Sequence, residues 1–175
     1  MAQPIHAPNQ ETAGADDGEV EKRVDQLRQH LQPLKEDPGS VMEAIYAAQE
    51  IFGFVTSRAI EVIAEELGYP EAHVYGVVTF YTMFYTDDQP PYILRVCRDL
   101  SCHLAGAEAV AGAIERKLNV HPGETSQDGL FKLELVSCLG QCEKQPAMLV
   151  NLDAKAEMTA EKAVGLIDEL KAERE

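Results

Sequence analysis

The chain is short of positive charge. It has 175 residues, and 15 lysines and arginines stand against 30 aspartates and glutamates, a formal net charge of −15. No local cluster of basic residues offsets this balance, so a phosphate backbone is repelled and nucleic acid is not an expected partner. The same charge suits plain solubility or a basic face on a partner protein, and composition leaves both readings open. No stretch approaches the ~20 apolar residues of a membrane helix, so direct membrane insertion is not expected. The opening segment MAQPIHAPNQETAGADDGEVEK has neither the basic start nor the apolar centre of a secretory signal. The expected compartment is therefore the cytosol. No internal repeat is present. No G-x-G-x-x-G fingerprint occurs, which argues against dinucleotide binding by that route.

What is present looks globular. Hydrophobic residues make up 45% and charged residues 26%, ordinary values for a folded soluble chain. The length allows one or two small domains, each with a core of its own. Residues 1–18 are polar and rich in Gly, Pro, Ala and Asp, which predicts a disordered tail.

From Glu19 the apolar spacing becomes helical, with Val20, Val24, Leu27 and Leu31 on one face. Pro33 and then Pro38-Gly39 interrupt it. Ser40 and Glu43 have the spacing of a capping box for a second helix that carries Val41, Ile45, Ala48 and Ile51/Phe52 and stops at Gly53. Thr56 or Ser57 opens a third, with Ile60, Ile63 and Leu67 inward and Gly68 at its end. Pro70 suits the first turn of a fourth, running to about Thr79. Residues 19–86 thus read as a small helical bundle.

Near Asp87 the pattern changes. Tyr92–Val96 reads as a buried strand. Leu104–Leu118 reads as one helix with Ala105, Ala109, Ala113 and Leu118 inward. Leu130–Ser137 alternates as a strand with Phe131, Leu133 and Leu135 on one face. Ala147–Asn151 and Ala156–Met158 are further short strands, and Thr159 caps a last helix with Val164, Ile167 and Leu170 inward. Residues 87–175 therefore predict a small layered α/β fold.

The chemistry is concentrated in the cysteines. There are four, Cys97 and Cys102 as C-x4-C and Cys138 and Cys142 as C-x3-C, and each pair begins where a predicted strand ends. Loops leaving two strand ends can bring thiolates together, and Gly140 permits a tight path in the second loop. Structural disulfides disagree with a reducing compartment. A dithiol redox centre would need C-x-x-C, which neither pair has. Two metal readings remain: a [2Fe-2S] cluster with two thiolates per iron, and a four-thiolate zinc site. Spacing alone leaves both open. Leu100, Leu104, Leu139 and Met148 are candidates for shielding the site from water.

The surrounding residues carry a resemblance. The run C97-RDLS-C102-HLAGAE, then D128-GLF, then C138-LGQ-C142 with Pro146 downstream, resembles the small [2Fe-2S] subunit of bacterial NADH:quinone oxidoreductase, respiratory complex I. A47-AQEIFGFV-T56, I63-AEELG-Y69 and V77-VTFYTM-F84 resemble that subunit's helical region, so the similarity spans roughly residues 40–170. Two departures fall outside the ligands: D87-DQPP-Y92 stands where the family often has a glycine, and Gln145 where an alanine commonly precedes the proline.

The resemblance implies a thioredoxin-like [2Fe-2S] ferredoxin domain behind an N-terminal helical bundle. It implies one [2Fe-2S] cluster on Cys97, Cys102, Cys138 and Cys142, and no catalytic residue in this chain. The partners implied are a flavin-bearing, NADH-binding subunit that holds FMN, and further iron–sulfur subunits. Such a complex places the chain in a peripheral arm at the cytoplasmic side of the inner membrane. The chain would be an electron carrier within an oxidoreductase, without a substrate site of its own. Equivalent subunits of NAD-linked formate dehydrogenases and hydrogenases share the resemblance. A zinc-stapled interaction module is the alternative of another class.

Other residues have plainer expectations. Phe80, Tyr81, Phe84 and Tyr85 suit a core joining the two halves or an anchor for a partner. His103 suits the solvent side, since four cysteines already complete a ligand set. Arg98 and Asp99 are read as a solvated pair whose charges could tune a cluster's potential.

Overall fold

A computed structural model describes residues 17–37 and 39–174. The tail expected over residues 1–18 falls outside them as far as residue 16. The chain divides into two compact units between Gln89 and Pro90.

The first unit is helical. Helix α1 (Asp17–Leu31) buries Val24, Leu27 and Leu31, the face its spacing predicts. Pro33 sits in a 3-10 turn, Gln32–Leu34, that ends the helix and tucks Leu34 into the core. Helix α2 (Val41–Phe52) ends at Gly53, whose φ of 87° most side chains resist. Helix α3 (Ser57–Leu67) starts on the extended Thr56, whose hydroxyl accepts the Ala59 N–H at 3.0 Å. Helix α4 (Glu71–Phe80) follows Pro70. Leu27, Ile45, Val55, Ile63, Val74 and Phe84 belong to one apolar core.

The capping box at Ser40 does not form. Ser40 already has helical torsions (φ −73°, ψ −8°), so its hydroxyl cannot turn back to the Glu43 amide, and it makes no side-chain cap bond. Its Oγ is buried without a partner among the described residues.

The second unit is a mixed sheet with helices. Strands β1 (Tyr92–Cys97), β2 (Phe131–Val136), β3 (Met148–Val150) and β4 (Asp153–Lys155) lie in the order β2-β1-β3-β4. β1 and β2 are parallel and in register from Tyr92↔Phe131 to Cys97↔Val136, a pairing that requires a crossover connection. Helices α5 (Leu100–Leu104) and α6 (Ala107–Leu118) lie in that crossover. β3 runs antiparallel to β1 and turns back into β4, with Asn151 at φ 55° in the turn. Helix α7 (Ala160–Ala172) starts on Thr159, whose hydroxyl accepts the Lys162 N–H at 3.2 Å, and it packs on α6. Leu94, Val96, Val110, Ile114, Phe131, Leu133, Met148 and Ile167 share the core.

A helical unit followed by a layered α/β unit is the fold class expected, with two corrections. The helix expected over Leu104–Leu118 is broken by Gly106 at φ 97°, which resets the phase. Ala105 and Ala109 therefore face solvent, while Val110, Ala111 and Ile114 join Ala113 and Leu118 inside. The strand expected at Ala156–Met158 lies earlier, at Asp153–Lys155, because a tight turn returns it directly along β3. Among the described residues, no helix is long and apolar enough to cross a membrane.

Candidate functional site

The sheet sets the first cysteine. Cys97 ends β1, donates its backbone N–H to the Ala147 carbonyl at 3.1 Å, and is almost fully buried. Arg98 continues the ladder by donating its N–H to the Val136 carbonyl at 2.9 Å. The chain then turns into α5, where His103 N–H reaches the Asp99 carbonyl at 2.8 Å. That single turn buries Cys102 and leaves Leu100 and Leu104 on its opposite face, 73% and 77% exposed. These two leucines do not shield the cysteines, contrary to expectation, because residues four apart share the face that Cys102 does not. Met148 is buried and Leu139 half-buried.

The second pair sits on the exposed loop after β2. Gly140, at φ 74°, lets the loop fold back so that its N–H points at Cys138 Sγ, 3.3 Å away. Cys138 Sγ and Cys142 Sγ lie 3.2 Å apart. Downstream, the Gln145–Pro146 peptide is cis and leads to the buried Ala147 beside the first pair. All four cysteines are free thiols.

Two of the thiols, Cys102 and Cys142, are shifted by their surroundings. The Cys102 thiol is pushed up chiefly by burial; a backbone hydrogen bond with Ala147 opposes this, and Cys97 and Cys138 add to it. The Cys142 thiol is pushed up chiefly by its hydrogen bond with Cys138, then by the Cys138 charge, with smaller contributions from burial, Cys102 and Cys97. Deprotonating all four would gather negative charge here, which the cations of an iron cluster would compensate. Among the described residues, no group of three or more His, Cys, Asp or Glu side chains gathers about one ion position. A structural zinc site needs four donors about a single ion, whereas a [2Fe-2S] cluster needs two thiolates at each of two irons. A cysteine pair on each of two loops matches the two thiolates per iron that a [2Fe-2S] cluster takes.

The neighbours are less uniform than the sequence suggests. His103 Nδ1 stands 3.6 Å from Glu108 Oε1, on the solvent side as expected. Arg98 is exposed. Asp99 is exposed too, yet its Oδ2 accepts the Cys138 backbone N–H at 3.0 Å, a link that a solvated pair does not describe. In the first unit Phe84 and Tyr85 are buried, while Phe80 is 75% and Tyr81 38% exposed, so only half of that aromatic quartet is core.

Comparison with known proteins gives one consistent result. The family model described as thioredoxin-like [2Fe-2S] ferredoxin matches residues 27–171. An NADH-quinone oxidoreductase subunit of Escherichia coli (strain K12) is 37% identical over 137 residues, 78% of this chain and 82% of that protein. The corresponding NADH-quinone oxidoreductase subunit of Aquifex aeolicus (strain VF5) is 35% identical over 127 residues, 73% and 79% of the two chains. Among solved structures, an NAD+-reducing [NiFe]-hydrogenase in the H2-reduced state superposes with a TM-score of 0.67 at 19% identity. That match covers 76% of this chain and 22% of the hydrogenase chain, and the likeness is one of fold alone.

Proposed function

This chain belongs to the thioredoxin-like [2Fe-2S] ferredoxin family, and we propose on that basis that it is the electron-transfer subunit of an NADH-oxidising module in a quinone-linked oxidoreductase. The observation that carries the reading is that two adjacent loops, joined by the Arg98 N–H to Val136 and the Cys138 N–H to Asp99 bonds, each carry a cysteine pair, with the Cys138 and Cys142 sulfurs 3.2 Å apart. Cys97 and Cys102 would hold one iron, and Cys138 and Cys142 the other. When bound, the cluster supplies one-electron oxidation and reduction.

The chain's own part is to hold and tune. β1 and its bond to Ala147 fix Cys97 from below. Burial of the first pair excludes water from one side, while the second pair stays exposed to a partner. The Gly140 N–H aimed at Cys138 Sγ is a donor that stabilises negative charge on sulfur and so favours the reduced state. Exposed Leu100 and Leu104 beside the site suit an apolar contact with the flavin-bearing subunit. On this reading NADH and FMN belong to that partner, further iron–sulfur subunits carry the electron onward, and the assembly is a peripheral arm at the cytoplasmic side of the inner membrane.

The quinone-linked setting is favoured over formate dehydrogenase or hydrogenase because the relatives at 35–37% identity carry that name, whereas the hydrogenase likeness is structural. The test is direct. Purified protein should be coloured, contain about two irons per chain and give a one-electron EPR signal after dithionite. A colourless chain with one zinc would overturn the reading. Proteins that co-purify with the native chain decide which complex it serves.

A further inference from the structure

We propose that Asp99 is a positioning residue that clips the second cysteine loop onto the first. The proposal rests on the reading of the four cysteines as cluster ligands, but the clip itself lies in the polypeptide.

Asp99 occupies the N-cap position of α5 with extended torsions (φ −69°, ψ 163°). An aspartate there ordinarily turns its carboxylate onto an amide of its own helix. Asp99 makes no such bond. Its Oδ2 instead accepts the backbone N–H of Cys138, thirty-nine positions along the chain, at 3.0 Å. The carboxylate has given up a local partner for a distant one.

The position of that bond explains its use. The parallel pairing of β1 and β2 ends at Cys97↔Val136, and Arg98 N–H adds one more rung on the Val136 carbonyl. Beyond that point the two chains diverge into the cysteine loops. The next bond between the two segments is the one from Cys138 N–H to Asp99, with a side-chain oxygen standing in for a backbone carbonyl. The ladder thus reaches one ligand beyond the sheet. Cys138 leaves the strand in a fixed direction, and its Sγ is left to receive the Gly140 N–H and to face Cys142. Partners that orient ligands in this way commonly change metal retention when removed.

The test uses the full chain with Asp99→Ala and Asp99→Asn. Asparagine keeps an acceptor oxygen, and alanine does not. Two quantities are read: deuterium uptake of the peptide containing Cys138, and the rate at which a strong iron chelator bleaches the reconstituted cluster. The expected result for Asp99→Ala is faster uptake at that peptide and about tenfold faster bleaching, with Asp99→Asn close to wild type in both. Wild-type uptake and wild-type bleaching in Asp99→Ala overturn the clip. So does Asp99→Asn bleaching as fast as Asp99→Ala, since the charge alone would then be at work. A wild-type chain that takes up no iron overturns the ligand reading instead. Uptake at the Cys138 peptide then decides the clip by itself, supported if Asp99→Ala exchanges faster and refuted if it does not.

Discussion

Arg95 and Glu134 face each other in register across β1 and β2, and Arg95 Nε lies 3.1 Å from Glu134 Oε2. Arg95 is only 8% exposed, and its Nη1 also donates to the Asn151 carbonyl at 2.7 Å. Lys132 approaches the same carboxylate at 3.3 Å, so Glu134 balances two cations within the sheet. Removing one partner of a buried pair leaves the other charge without compensation. Glu134→Ala is therefore expected to cost about 3 kcal/mol of folding stability. Chemical denaturation checks this, and a loss below roughly 1 kcal/mol would place the pair among ordinary surface bridges.

Cys142 offers the sharpest test of the ligand set, because it is exposed and its replacement leaves the core intact. Cys142→Ser is expected to retain the wild-type far-ultraviolet circular dichroism while losing iron or changing the visible spectrum. A wild-type spectrum with full iron content would remove Cys142 from the set. The same experiment on Cys97 is less clean, since that side chain is part of the apolar core.

How much of this was legible in the sequence depended on the range of the interaction. Helix ends written by a single residue were readable: Gly53 and Gly68 stop helices, and Thr56 and Thr159 start them, because each acts on amides or carbonyls within a turn of itself. The paired cysteines were readable because each pair lies just past a strand end and is held close by its own loop. Ser40 differs, since the capping pattern presumes an extended residue and Ser40 has helical torsions. Gly106 hid inside a run of alanines that reads as unbroken helix. Asp99 was invisible in its main role, because its partner lies in another loop and only the β1–β2 register brings them together.

Acid sensitivity has an identifiable source in Asp128. Its carboxyl is lowered from 3.8 to about 2, first by a hydrogen bond from Lys171 and then by one from Ser126. Lys171 Nζ lies 2.8 Å from Oδ2, and Leu130 N–H reaches Oδ1 at 3.1 Å. A depressed carboxyl stabilises the folded state in full above the unfolded value, and loses that contribution as pH falls through the folded one. The window here runs from 3.8 down to about 2. Both side chains are more than a third exposed, at 37% and 36%, so screening keeps the effect under ~1 kcal/mol. Asp128→Asn is expected to flatten the stability profile between about pH 4 and pH 2, read by denaturation at a series of pH values. A variant whose profile still falls as steeply as wild type would assign the acid sensitivity elsewhere.

Arg98 tests whether charge between the ligands reaches the cluster. It follows Cys97 directly and its side chain is exposed, in the loop that leads to Cys102. A positive charge there favours the state with one more electron, so Arg98→Gln is expected to lower the midpoint potential. Water and salt surround the guanidinium, so the shift should be largest at low ionic strength and shrink as the screening length falls below about 10 Å near 0.1 M salt. Redox titrations of wild type and variant at both extremes provide the check. A potential that is unchanged at low salt would show that Arg98 is merely solvated. A shift that ignores salt would point to a changed loop geometry rather than to charge.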